Sequence, residues 1–164
     1  MARVRAIKAA LLAAALGLAA LGAATLAQRD LIIFNHSPSI PVGLYVRADA
    51  DVRFGSIVTV RARDVAPREA AQRNFVGERD RFLKRVAAIG GDEVCGDGRD
   101  LRVEGRIVAT ILDDSERATL TGWTGCRRLE HDEILLLGDS ADSFDGRYWG
   151  PISARLIEGV WRPL

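Results

Sequence analysis

The sequence predicts a mainly β domain of short antiparallel strands set behind a single N-terminal apolar helix. Three observations carry that expectation. Ala9 to Ala27 is an uncharged run of 19 residues. Beyond it, brief β-prone stretches alternate with clusters of Gly, Pro, Asn and Asp that read as turns. After residue 28 only one stretch has the look of a helix.

The apolar run would span about 28 Å as a helix, close to the roughly 30 Å hydrocarbon core of a bilayer. A cleaved signal peptide is the alternative; its apolar region is shorter, about 7–15 residues. Thr25-Leu26-Ala27 offers an imperfect small-x-small cleavage site. Length favours an uncleaved anchor. Arg3, Arg5 and Lys8 precede the run and the first 27 residues hold no acid, so the N-terminus is expected in the cytoplasm and the rest in the periplasm. The expected division is residues 1–28 as anchor or signal segment and 29–164 as one folded domain. A 164-residue chain that is 48% apolar has room for that much.

From residue 28 onward, 20 bases face 22 acids. That balance lacks the clustered basic face that nucleic-acid binding needs. There is no P-loop, internal repeat or low-complexity tract, and no nucleotide or other cofactor is expected.

The elements follow in order. Leu31 to Phe34 is a β-prone stretch ahead of "NHSPSIPVGLY". Leu44 to Val46 and Ser56 to Arg61 read as strands, the second alternating as "SIVTVR". "PREAAQR", Pro67 to Arg73, is the one convincing helix, with proline in the first turn, where its missing N–H costs nothing. Phe82 to Ile89 reads as a strand, and "GGDEV" turns into the next. Leu101 to Val108 is a hairpin with Glu104-Gly105 at its turn, a weaker pair than Asn-Gly. Asp113 to Gly125 reads as a polar surface excursion. Glu133 to Ser140 is a buried strand entering a loop, and a last strand near Leu156 to Trp161 closes the domain.

Cys95 and Cys126 are an even pair in an oxidising compartment, so a disulfide is expected, with two buried thiols as the alternative. No Cys-x-x-Cys or histidine pair accompanies them, which argues against a metal.

Three stretches concentrate chemistry. Pro38 and Pro41 stiffen the backbone around Ser39, either as a linker or to present a nucleophile. A serine hydroxyl needs a base to take its proton. His36 is too close along the chain to be aimed at Ser37 or Ser39, His131 reads as a solvated turn residue, and no Gly-x-Ser-x-Gly elbow supports a Ser-His-Asp triad. Lys84 is the better base. It is the only lysine after residue 8 in a chain that otherwise uses arginine, and lysine differs from arginine in being able to shed its proton. In an extended "RFLKRVAAI" it shares a face with Phe82 and Val86, where desolvation lowers an amine's pKa. A chance survivor of codon usage, snorkelling at a strand edge, is the plain alternative.

The third stretch, "LGDSADSFDGRYWGP", gathers Ser143, which can bond the lysine amine, with Asp145 and Arg147, which can form a bidentate clamp. Its acids lack EF-hand spacing, so a cation site is not expected.

Taken together, "SPSIPVGLY", "FLKRVAAIGGDEVC" and "LLLGDSADSFDGRYWGP", in this order after an apolar run, resemble the type I signal peptidase family of Ser/Lys peptidases, and within it the conjugative-transfer (TraF-type) branch. The resemblance implies a signal-peptidase-like (LexA-like) β domain. It implies Ser39 as nucleophile, Lys84 as general base, Ser37 beside the Ser39 N–H in an oxyanion hole, Ser143 orienting the amine, and Asp145 with Arg147 in support. The implied substrate is a precursor protein or pilin in extended conformation, whose own amine resolves the acyl-enzyme in some relatives. Ile40 replaces the family's usual methionine, and "IGGDEV" its Leu-Pro-Gly-Asp turn. A housekeeping signal peptidase I and a catalytically silent, membrane-tethered scaffold are the alternatives. A self-cleaving Ser/Lys repressor would need a DNA-binding segment that this sequence does not offer.

Overall fold

The computed structural model describes residues 14–18, 30–111 and 120–164. The chain divides into Met1–Leu31 and Ile32–Leu164. In the first unit residues 14–18 are helical; the rest of the expected anchor, Ala9 to Ala27, lies outside the described residues. No helix among the described residues is long and apolar enough to cross a membrane.

The second unit consists of two antiparallel sheets. The larger is built from β1 (Ile32–Asn35), β2 (Gly43–Ala48), β3 (Ile57–Arg61), β4 (Arg81–Ile89), β9 (Glu133–Leu137), β10 (Ile152–Ser153) and β11 (Ile157–Pro163), in the order β1-β2-β11-β3-β4-β9-β10. The smaller contains β5 (Glu93–Asp97), β6 (Asp100–Val103), β7 (Arg106–Thr110) and β8 (Thr124–Arg128), in the order β7-β6-β5-β8.

Side-chain alternation along β3 and β4 explains why both faces of the larger sheet are covered. Val58, Val60 and Val86 join Ile134 and Leu136 in one cluster. Ile57 and Leu83 point the other way, into a cluster with Ile40, Tyr45 and Trp161. Burying one such aliphatic side chain contributes about 1.5–3 kcal/mol, so a register slip that inverted β4 would expel several at once. Thr59, buried in β3, accepts the Trp161 indole N–H at 2.9 Å. A third cluster, with Ala88, Val94, Leu101, Leu135 and Leu137, packs the end of β4 and one face of β9 against the smaller sheet. The β4–β9 register shifts between Val86 and Ala88.

The expected strands are present with ends moved by a residue or two, and the helix runs Pro67–Gln72. The Glu104-Gly105 turn has φ +48° and +75°. Left-handed backbone at both central residues is what a tight two-residue hairpin requires, and Glu104 adopts it without glycine's freedom.

Two expectations need correction. Pro67–Gln72 is not the one helix after residue 28: Ala62–Val65 and Gly146–Trp149 are helical too, with a 3-10 turn at Ala154–Leu156. Four residues are too few to show a helical period, which is why the sequence did not reveal them. The Asp113 to Gly125 excursion ends early. Residues 112–119 lie outside the described residues, but Gly122 is buried, Trp123 N–H donates to Arg147 O at 2.8 Å, and β8 begins at Thr124.

Cys95 and Cys126 stand opposite one another on β5 and β8 and are joined as a disulfide. It covalently fixes the register of β8, whose five residues are all exposed and supply no buried face of their own.

Candidate active site

The site begins where β1 ends. Asn35 is buried, and its side chain folds over the loop that follows. Nδ2 donates to the carbonyls of Ser37 (2.8 Å), Ile40 (2.7 Å) and Pro41 (3.1 Å), while Oδ1 accepts from Ser37 N–H at 3.2 Å. Tyr45 donates its hydroxyl to Pro41 O at 2.7 Å. Ile40, with no exposed surface, plugs into the cluster below. Between these anchors Ser39 is held at 7% exposure, beside the exposed Ser37. Ser37 Oγ donates to Ser39 Oγ at 3.1 Å and accepts Ser39 N–H at 3.3 Å.

Lys84 projects from the middle of β4, paired with Val58 of β3. Its side chain is 3% exposed; Nζ donates to Ser143 Oγ at 2.8 Å and lies 5.8 Å from the centre of the Phe82 ring. Burial pushes the amine down from 10.5 to about 8. Asp145 opposes that shift most, Arg147 reinforces it, and Asp142 and Asp139 oppose it more weakly. Desolvation prevails because the ammonium would lose most of its water. A neutral amine that spends one N–H on Ser143 keeps its lone pair available for a proton.

The loop after β9 supplies the rest. Asp145 has no exposed surface, and Arg147 is 3% exposed. They meet through two prongs, Nε to Oδ1 at 2.8 Å and Nη2 to Oδ2 at 3.0 Å. Asp145 also accepts the N–H groups of Gly138 (2.7 Å) and Arg147 (3.1 Å), the second capping the Gly146–Trp149 helix. Arg147 spends its remaining donors on the carbonyls of Ala141, Ser140 and Thr110. A buried charge needs this saturation of partners.

Gly138 is where the two halves converge. A Cβ there would overlap the Ser143 side chain and come within 2.9 Å of the Ser39 carbonyl oxygen. Next to it, Asp139 N–H donates to that same oxygen at 2.5 Å. Asp139 is held in turn by Arg85, Nε to Oδ1 at 2.8 Å and Nη2 to Oδ2 at 2.7 Å, which keeps its carboxyl below the ordinary range.

The six residues expected from the sequence form three bonded pairs, Ser37 with Ser39, Lys84 with Ser143, and Asp145 with Arg147. Gly138 lies between Ser143 and the Ser39 carbonyl, and no hydrogen bond joins Lys84 to Ser39 among the described residues. His36 and His131 are exposed, and neither is hydrogen-bonded to Ser37 or Ser39 among the described residues. Among the described residues Glu93, Cys95 and Cys126 bring potential ligand atoms close together, but the two sulfurs are bonded to each other. Three contributors were missed. Asn35 and Gly138 act through short-range backbone geometry that residue type alone does not announce. The Arg85–Asp139 pair spans 54 positions, and the one available signal was an arginine next to the lysine.

The family model described as signal peptidase, peptidase S26, matches residues 3–163. The chain belongs to that family. Two Escherichia coli proteins, each a plasmid transfer protein TraF, are similar to this peptidase S26 member at 34% and 35% identity over 142 residues, covering 79% of this chain and 80% of each relative. The crystal structure of a signal peptidase I from Enterococcus faecalis V583 aligns with a TM-score of 0.41 at 15% identity, over 69% of this chain and 98% of the other. Membership in the S26 family gives the chain a peptidase-type role with a precursor protein as substrate.

Proposed function

We propose that this S26 peptidase is a membrane-anchored serine endopeptidase that matures a precursor protein with a Ser39/Lys84 dyad. The observation that carries the reading is the buried Lys84 amine, pushed down to about 8 and bonded to Ser143. Near neutral pH such an amine is partly uncharged and can serve as a base.

In the proposed cycle Lys84 rotates its lone pair from the resting arrangement toward Ser39 and takes the hydroxyl proton as Oγ attacks the scissile carbonyl. The carbonyl oxygen becomes the oxyanion. Ser39 N–H and the Ser37 hydroxyl, which at rest bond each other, turn to it; such donors are worth about 3–4 kcal/mol each in acyl transfer. The protonated Lys84 then delivers its proton to the departing amine. Water, or an amine of the substrate itself, attacks the acyl-enzyme with Lys84 again accepting the proton; the Ser39 Oγ–acyl bond breaks, and Lys84 returns the proton to Oγ. Ser143 keeps the amine from swinging away, and the Asp145–Arg147 pair holds the loop that carries Ser143.

Likeness to the two TraF proteins supports a dedicated precursor of a conjugation system over the many substrates of a housekeeping enzyme. The basic flank Arg3, Arg5 and Lys8 and the Cys95–Cys126 disulfide support a periplasmic domain on a cytoplasm-facing anchor.

The test is precursor cleavage in membranes. Ser39→Ala and Lys84→Arg should each abolish it while circular dichroism stays unchanged. Arginine keeps the charge but supplies no free amine, so cleavage retained by Lys84→Arg would end the dyad. A scaffold without chemistry would also fail to react with an acylating serine probe.

A further inference from the structure

We propose that the cleft bounded by the β2–β3 connection and the end of β11 binds an acidic segment of the precursor polypeptide, a specificity contact that rests on the peptidase reading above. The cleft encloses about 770 Å³ and is lined by Arg47, Arg53, Arg85 and Arg162, with Asp49 and Asp51 as its acids. Arg85 is neutralised by Asp139, and the three other guanidiniums against two carboxylates leave the cleft net positive by one, in a domain whose overall charge is slightly negative. Arg47 is fixed in place: it lies over the Trp161 ring at 4.8 Å and donates to Glu158 O at 2.8 Å. Arg53 and Arg162 are exposed, and neither has an acidic partner among the described residues.

Arg85 connects the cleft to the chemistry. It donates to Gly55 O in the cleft wall at 3.2 Å and grips Asp139, whose N–H holds the Ser39 carbonyl. An extended chain advances about 3.3 Å per residue. Arg85 and Asp139 bridge the cleft to Ser39, so a polypeptide that reacts at Ser39 and extends along this side would bring a carboxylate to complementary charge. A flat anionic bilayer fits less well, because the cleft is concave. Charges of this exposed kind act on encounter rate and selectivity more than on tight binding.

The experiment uses the full-length protein in detergent and fluorescent peptides that carry glutamate, glutamine or lysine at successive positions around the cut. Affinity is read by anisotropy on Ser39→Ala, and kcat/KM on the active enzyme. Each exposed pair is worth about 1.5- to 5-fold, so Arg53→Glu with Arg162→Glu should weaken the best glutamate peptide roughly tenfold. The glutamine peptide should be unaffected, the lysine peptide should improve, and the glutamate advantage should shrink with salt. Equal losses on glutamate and glutamine peptides would overturn the proposal. So would unchanged peptide selectivity combined with lost binding to phosphatidylglycerol vesicles, which would make the cleft a membrane contact. Selective binding without any cleavage by the active enzyme would leave the cleft standing and remove the dyad.

Discussion

Gly138 and Ser143 compete for one volume: the position a Gly138 side chain would take is filled by the Ser143 hydroxyl, with the Ser39 carbonyl on its other flank. A single methyl here would push apart the residue that orients Lys84 and the loop that presents Ser39. Gly138→Ala should therefore cut precursor cleavage by about 100-fold, the scale of an ångström-sized misplacement. Overpacking costs about 1–3 kcal/mol, so the domain should remain folded. Wild-type turnover in this variant would mean that the convergence at Gly138 does not matter to the reaction.

The pH dependence of cleavage follows from Lys84. Its amine titrates at about 8 in the folded protein, so kcat/KM should climb with pH and level off above that value. A profile with its acid limb near 6.5, the ordinary range of histidine, would point to a different base.

The same group has a thermodynamic signature. Well below pH 8 the amine is charged both folded and unfolded, and its burial is fully destabilising. Between about 8 and 10.5 the unfolded chain still holds the proton that the folded one has lost, so stability rises with pH across that window. The shift amounts to about 3 kcal/mol. Lys84→Met forfeits a hydrogen bond worth about 1 kcal/mol, and should still be about 2 kcal/mol more stable than wild type at pH 7. The gap should close toward pH 10.5 in paired urea titrations, and a pH-independent gap would contradict the assignment.

Asp145→Asn preserves shape and removes the charge facing Arg147. The buried guanidinium would be left without its counter-ion, at a cost of about 3–5 kcal/mol. Chemical denaturation should register that loss, together with weakened cleavage as the loop from Gly138 to Ser143 loosens. A change below about 1 kcal/mol would mean that Arg147 is satisfied by the carbonyls of Ala141, Ser140 and Thr110 alone.

How far the sequence could be read depended on the range of each interaction. Lys84 was legible because strand alternation is local and because a lone lysine stands out against so many arginines. Asp145 and Arg147 were legible because they lie two positions apart. The hairpin at Glu104-Gly105 announced itself by its glycine. In contrast, the β5–β8 pairing joins residues some thirty positions apart, and β8 has no apolar alternation to advertise it. Asn35 looked like any turn residue, since its role lies in which carbonyls its amide reaches. The expected anchor lies outside the described residues, apart from 14–18.

Because the folded unit has one lysine, and that lysine sits in the middle of β4, a lysine-specific endoproteinase finds one bond to cut there. Digestion at that bond would report the opening of the larger sheet, unclouded by fraying loops. The residue proposed to run the reaction is thereby also a built-in gauge of how often the core comes apart.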